Sequence, residues 1–175
     1  MKFFIGYAST EGQSRKIARW VADRLLDDCH GVELASVEDG GELDLHRFER
    51  AIIVGSIHVG QYKKALADFA ADHHVWLNAH PVLFLSVSLA AAGHDAEEWR
   101  ALERILADFQ EATDWKTASV AQIAGAYMPS EYDIVTRFIM RRIVAKKDPE
   151  ADLSEDRDYT DWAALGDLLE GWVAA

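Results

Sequence analysis

The chain has 175 residues and a formal net charge of −12, long enough for one substantial core and too short for two ordinary domains. Half of the residues are apolar, as in a soluble globular protein, and the acidic excess argues against nucleic-acid binding, which needs basic clusters for the phosphates. A single cysteine, Cys29, excludes an internal disulfide and an all-cysteine metal site and points to a reducing, cytoplasmic compartment.

In chain order, Lys2 to Ala8 (KFFIGYA) predicts a buried strand, too short to be a signal peptide and lacking its cleavage site. Ile17, Ala18, Val21, Ala22, Leu25 and Leu26 keep helical spacing, with Cys29 at the helix end reading as a structural residue. Val32 to Val37 predicts a second strand, ended by the turn Asp39-Gly40-Gly41. Ala51 to Ile57 predicts a central strand, Tyr62 to Ala71 a helix, and Pro81 to Val87 the next strand. Trp99, Leu102, Ile105, Leu106 and Phe109 mark a third helix, and Val120 to Tyr127 a fifth strand. A basic helical segment follows at about 133–147, and Trp162, Leu165, Leu168, Leu169 and Trp172 lie on a last helix. No stretch approaches the roughly 20 apolar residues that span a bilayer.

Strands that are apolar throughout are buried on both faces, which implies a parallel sheet covered by helices. The alternation predicts one α/β domain over residues 1–175, an open doubly wound five-stranded parallel sheet with helices on both faces. Ligands of such sheets bind beyond the carboxyl ends of the strands, where the strand order switches.

Three loops stand there. Ser9-Thr10-Glu11-Gly12-Gln13-Ser14 joins the first strand to the first helix, where backbone N–H groups and the helix dipole favour an anion. No lysine follows Gly12 in P-loop spacing and no G-x-G-x-x-G is present, so the pattern suits one monophosphate held by neutral donors. The plain alternative is an ordinary helix cap. Gly55 to Tyr62, with Ser56, Ile57, His58, Val59 and Gly60 inside it, can lie against a planar ring; the alternative is a connection with a solvent-exposed His58. Ser86, Val87, Ser88, Leu89 and Ala90 are small enough for a large ligand to approach the backbone. All three loops are expected to converge on one edge of the sheet.

These residues resemble a known family. STEGQS resembles the phosphate loop of flavodoxins, which hold flavin mononucleotide (FMN) at the switch point. With VGSIHVGQY, LSVSLA, QIAGAY, TRFIMRRI and DYTDW, in order over nearly the whole chain, the sequence is similar to the flavodoxin-like, quinone-dependent protoporphyrinogen IX dehydrogenases. The resemblance implies an FMN oxidoreductase of haem biosynthesis that converts protoporphyrinogen IX to protoporphyrin IX and passes electrons to a membrane quinone. It places Ser9, Thr10, Glu11, Gly12, Gln13 and Ser14 around the phosphate. Ser56, Ile57, His58, Val59, Gly60, Tyr62, Ser86, Val87, Ser88, Leu89 and Ala90 then flank the ring. The flavin carries the redox chemistry, so no side chain is assigned as catalytic and no metal ligand is assigned.

The basic helix interleaves Arg137, Arg141, Arg142, Lys146 and Lys147 with Phe138 and other apolar residues. It reads as a peripheral membrane contact on anionic lipid, which also gives access to the quinone. The alternative is a covering helix, since the apolar residues form no single clean stripe. His73, His74 and His80 are expected at the surface, the paired histidines at a helix end. Trp20, Trp99, Trp162 and Trp172 are expected as core or half-buried packing. Two departures from the family pattern stand out. Glu131 and Asp133 follow the fifth strand where the family is basic and aromatic, and Asp95, Glu97 and Glu98 follow the third loop. A flavodoxin-type electron carrier with redox protein partners is the second reading, and a sensing or scaffolding domain the third. Oligomeric state, including a homo-oligomer, stays open.

Overall fold

The computed structural model describes residues 1–39 and 43–175; the expected turn at Asp39-Gly40-Gly41 falls largely outside these. Along the chain run β1 (Lys2–Ala8), α1 (Gln13–Asp27), β2 (Gly31–Ser36), β3 (Arg50–His58), β4 (Gln61–Tyr62), α2 (Lys64–Ala79) and β5 (Val82–Ser88). There follow α3 (Ala96–Thr113), β6 (Ser119–Ala124), β7 (Ala126–Tyr127), α4 (Ile134–Lys147), β8 (Arg157–Asp158) and α5 (Trp162–Ala174).

The five long strands pair in parallel in the order β2-β1-β3-β5-β6. The continuous apolar runs are explained by burial on both faces. Phe4, Ala51, Ile53, Val82 and Phe84 pack on one side with Leu66, Phe69, Trp76 and Leu77 of α2 and Phe109 of α3. Phe3, Ile5, Ile52, Val54, Leu83 and Leu85 pack on the other with Ile17, Val21 and Leu25 of α1 and Leu165 and Leu169 of α5. Gly55 in β3 permits the closest helix approach, because a Cβ there would stand 2.3 Å from Leu66 Cδ2. The chain steps from β1 outward to β2 and then back past β1 to β3, so the switch in strand order lies between β1 and β3.

The structure corrects several sequence expectations. The main sheet has a sixth strand: β4 folds back antiparallel on β3, with Ile57 opposite Tyr62 and His58 opposite Gln61. The expected loop over 55–62 is therefore a hairpin whose turn residues Val59 and Gly60 have φ of 49° and 74°. The expected strand 120–127 breaks at Gly125, and β7 leaves the main sheet to pair with β8. Helix α2 runs on to Ala79 because Trp76 and Leu77 resume its buried stripe after the polar Asp72-His73-His74. The two histidines therefore lie inside the helix, not at its end. Cys29 lies just beyond α1 and is exposed with φ 61°, so it makes no structural contribution to the core. Trp20, Trp99, Trp162 and Trp172 are half-buried, while Trp76 and Trp115 are the buried tryptophans.

Candidate functional site

The loops leaving β1, β3 and β5 meet at the carboxyl edge of the sheet, as their parallel order requires. Between them lies a cleft of about 310 Å³, lined by Glu11 and Gln13 from the first loop, Ser56, Ile57, His58 and Val59 from the second, and Val87, Ser88 and Leu89 from the third. Gly125 and Ala126 at the β6–β7 break close one wall, and Tyr132 with Thr136, Ile139, Met140 and Ile143 of α4 lies over it. This size falls within the usual range for small-molecule sites, as does the lining of apolar side chains with few polar groups.

The first loop offers anion donors. Gly12, with φ 94°, stands at the cap position just before α1, and no side chain among the described residues caps the helix. Neither Ser9, Thr10 nor Ser14 serves as the cap that plain turn chemistry predicts. Ser9 Oγ instead accepts from Gly12 N at 3.0 Å inside the loop. Among the described residues the buried Ser14 hydroxyl has no partner, and neither has that of Ser56 near the end of β3. A buried hydroxyl without a partner costs about 1–3 kcal/mol, which a bound acceptor or donor removes. Among the described residues nothing lies within 4 Å of the Cβ that Gly12 lacks. Beside it an open concavity is lined by Tyr7, Ser9, Thr10, Gly12 and Arg15, together with Ser36 and the acids Glu38 and Asp39. The loop is pinned from below: Lys63 Nζ donates to Ser9 O at 2.7 Å and to Glu38 at 2.8 Å. Uncapped amides, a free hydroxyl and an open glycine turn together suit a monoanion or dianion such as a phosphate ester.

Glu11 and Gln13 are placed differently from the rest of this loop. Glu11 lines the cleft, and its carboxylate stands 3.4 Å from His58 Nδ1. Gln13 turns toward Asp158 and Thr160. Tyr62 and Ser86 lie beneath the cleft, joined by a buried hydrogen bond of 2.7 Å. Burial pushes the Tyr62 phenol up to about 12, against the opposing effect of the Ser86 bond. Gly60 and Ala90 stand outside the cleft lining, at the hairpin turn and at the start of a short 3₁₀ turn.

Tyr132 and the cleft-facing side of α4, a helix expected as a membrane contact or a covering helix, are the parts that sequence reasoning missed. Tyr132 is buried, and its oxygen accepts from Met128 N at 3.1 Å. Burial is the main reason its phenol is pushed up to about 12, so it stays neutral over the physiological range. Arg137 donates to Pro129 O and Tyr132 O, fixing the start of α4 to this loop. Lys147 forms an ion pair with Glu98 that fixes its end. The acids that depart from the family pattern have local work. Asp133 caps α4 through Thr136 N, Asp95 caps α3 through Glu97 N and Glu98 N, and these amides hold both carboxyls below their ordinary range. The signal was the untidy apolar pattern of α4, which the sequence showed but which did not say which residues face a cleft. Met140 and Val144 pack inward with Tyr127 and Tyr132, Ile139 and Ile143 line the cleft, and Ile134, Val135 and Phe138 face outward.

A family model described as a flavodoxin domain matches residues 4–154. The chain is 29% identical to the protoporphyrinogen IX dehydrogenase [quinone] of Escherichia coli strain K12 over 168 residues, covering 96% of this chain and 92% of that protein. It is 27% identical to the protein of the same name from Leishmania major, covering 96% of this chain and 73% of that one. Among solved structures, oxidised flavodoxin 2 from Bacillus cereus superposes with a TM-score of 0.52 at 19% identity, over 71% of this chain and 85% of that one. Flavodoxin 1 from Bacillus cereus gives 0.51 at 12% identity, over 87% of this chain and all of that one.

Proposed function

The chain belongs to the flavodoxin domain family, and on that premise we propose that it is an FMN-dependent oxidoreductase that oxidises protoporphyrinogen IX to protoporphyrin IX with a membrane quinone as acceptor. The site's residues fit the cofactor. The open, uncapped start of α1 with the Ser14 hydroxyl takes the phosphate, and the cleft between Ser56–Val59 and Val87–Leu89 takes the ring. When bound, the flavin supplies the redox chemistry, accepting electron pairs from the substrate and releasing them to the acceptor. The protein's part is to bind and orient it, to exclude water with Leu89, Ile139, Met140 and Ile143, and to keep the neutral Tyr132 at the wall.

The observation that carries this reading beyond simple electron carriage is α4. An electron carrier that docks through charge has no need of a helix that roofs the cleft with apolar side chains. The outward residues Ile134 and Phe138 are 85% and 64% exposed, and Val59 at the hairpin tip is 87% exposed beside the same cleft. With Arg141 and Arg142 they suit an anionic membrane surface, at roughly 1 kcal/mol per basic residue, from which a lipid-soluble acceptor reaches the cleft. The names of the curated relatives agree with this substrate and acceptor. The test is anaerobic turnover of protoporphyrinogen IX by the FMN-loaded protein with a menaquinone analogue, followed by porphyrin fluorescence. Turnover should rise with anionic vesicles, and Arg141→Glu with Arg142→Glu should remove that rise. Absence of turnover, with reduction by a flavodoxin reductase retained, would replace the proposal by the electron carrier.

A further inference from the structure

The segment Tyr159-Thr160-Asp161-Trp162 lies outside the three loops that form the cleft, yet with Asp158 it reaches the site at Gln13. Gln13 is the first residue of α1, lines the cleft and is 6% exposed. Its Nε2 donates to Asp158 Oδ1 at 2.9 Å and to Thr160 Oγ1 at 2.8 Å. The Thr160 hydroxyl donates onward to Ala124 O at 2.6 Å, so toward Gln13 it can only accept. Asp158 Oδ1 also accepts from Thr160 N at 2.9 Å, and Lys16 holds the other oxygen at 2.7 Å. Turning the amide over would set its oxygen against a carboxylate and a hydroxyl whose hydrogen is already used, so its sense is fixed.

Both hydrogens of the Gln13 amide are therefore engaged, and Oε1 is left buried without a partner among the described residues. In this state Gln13 is an acceptor only. A phosphate ester at neutral pH presents acceptors, so the Gln13 side chain has nothing to give it, whatever its backbone N–H donates. FMN carries its donors elsewhere, on the hydroxyls of the polyol chain and on the ring imide. Gln13 follows Gly12 of the loop read as the phosphate end and itself lines the cleft read as the ring end, so a polyol chain joining the two would pass it. We infer that Gln13 Oε1 accepts a hydrogen bond from a polyol hydroxyl of the ligand and takes no part in gripping the phosphate, with Asp158 and Thr160 as positioning residues. This rests on the flavin reading above. It reassigns a residue that the sequence grouped with the phosphate ligands, and gives the DYTDW segment a role in the site.

The test is binding, read by quenching of flavin fluorescence, of three probes to the full chain: FMN, riboflavin, which lacks the phosphate, and lumiflavin, which lacks phosphate and polyol. Gln13→Met keeps the length and removes the acceptor. It should weaken FMN and riboflavin alike by about five- to tenfold, the worth of one hydrogen bond, and leave lumiflavin unchanged. Thr160→Val should act in the same direction and Thr160→Ser should restore wild-type affinity, which covers the case in which Gln13→Met does not fold. Loss confined to FMN would return Gln13 to the phosphate. Equal loss for lumiflavin would make its role structural or ring-directed, and either result overturns the inference while the flavin reading stands. No binding of any flavin by the wild-type chain would overturn both.

Discussion

Val59 carries a conflict at the scale of a single residue. It is β-branched, has φ of 49° and is 87% exposed at the tip of the β3–β4 hairpin. A two-residue hairpin turn with both φ positive favours Asn-Gly, and a β-branched side chain there is strained by roughly 1–2 kcal/mol. Val59→Asn should therefore raise stability by about 1 kcal/mol, seen as a higher urea midpoint with an unchanged slope. An unchanged or lower midpoint would show that the turn is not strained as described. Strain and an exposed apolar surface retained together beside a cleft are the pattern of a contact site, which agrees with the membrane-facing role proposed for this tip.

At the scale of elements, the segment 157–160 straps the site together. β8 pairs with β7, Asp158 joins Gln13 and Lys16, and Tyr159 N donates to Gly125 O at 3.0 Å. Burial pushes the Asp158 carboxyl up, but the bonds from Lys16 and Thr160 outweigh it and hold the group below its ordinary value of 3.8. A carboxyl lowered on folding contributes stability that is fully present above that value and is lost as pH falls through its folded one. Flavin retention should thus be flat from neutrality down to about pH 5 and fall below about pH 4. In Asp158→Asn the part of this fall due to the strap should disappear; an identical acid profile in the variant would remove Asp158 from the account.

The same elements show what was legible in the sequence. The five parallel strands could be read because residues such as Phe3–Ile5 and Ile52–Val54 are apolar on both faces, a local signature. The three converging loops followed from their order. The break at Gly125 could not be read, because Ile123 to Tyr127 continues the run without a polar residue and β7 finds its partner only at Arg157 and Asp158, about thirty residues on. A two-residue strand carries no periodicity. Tyr132 was hidden for a similar reason: its place at the cleft depends on Arg137 folding α4 back onto Pro129 and Tyr132. Gln13 was assigned by its neighbours in sequence, whereas its hydrogen-bond partners lie some 145 residues away.

At the scale of the whole molecule, a body with net charge −12 carries its cationic helix α4 over the mouth of the cleft. Opposite signs on two parts of one surface orient an approach to an anionic membrane, and salt screens that attraction over about 10 Å at 0.1 M. Raising salt should therefore reduce the vesicle-dependent part of turnover while leaving FMN loading unchanged. The central claim is that the β1–α1 loop holds a phosphate and the cleft holds the attached ring. The most direct measurement is a titration of the flavin-free chain with FMN, followed by fluorescence quenching, for the wild type and for Gly12→Val with Ser14→Ala. The account predicts saturation at one FMN per chain for the wild type and loss of binding in the double variant, whose circular dichroism stays native. Stoichiometric FMN on the double variant would contradict the placement, and a wild-type chain that does not saturate would contradict the flavin site itself.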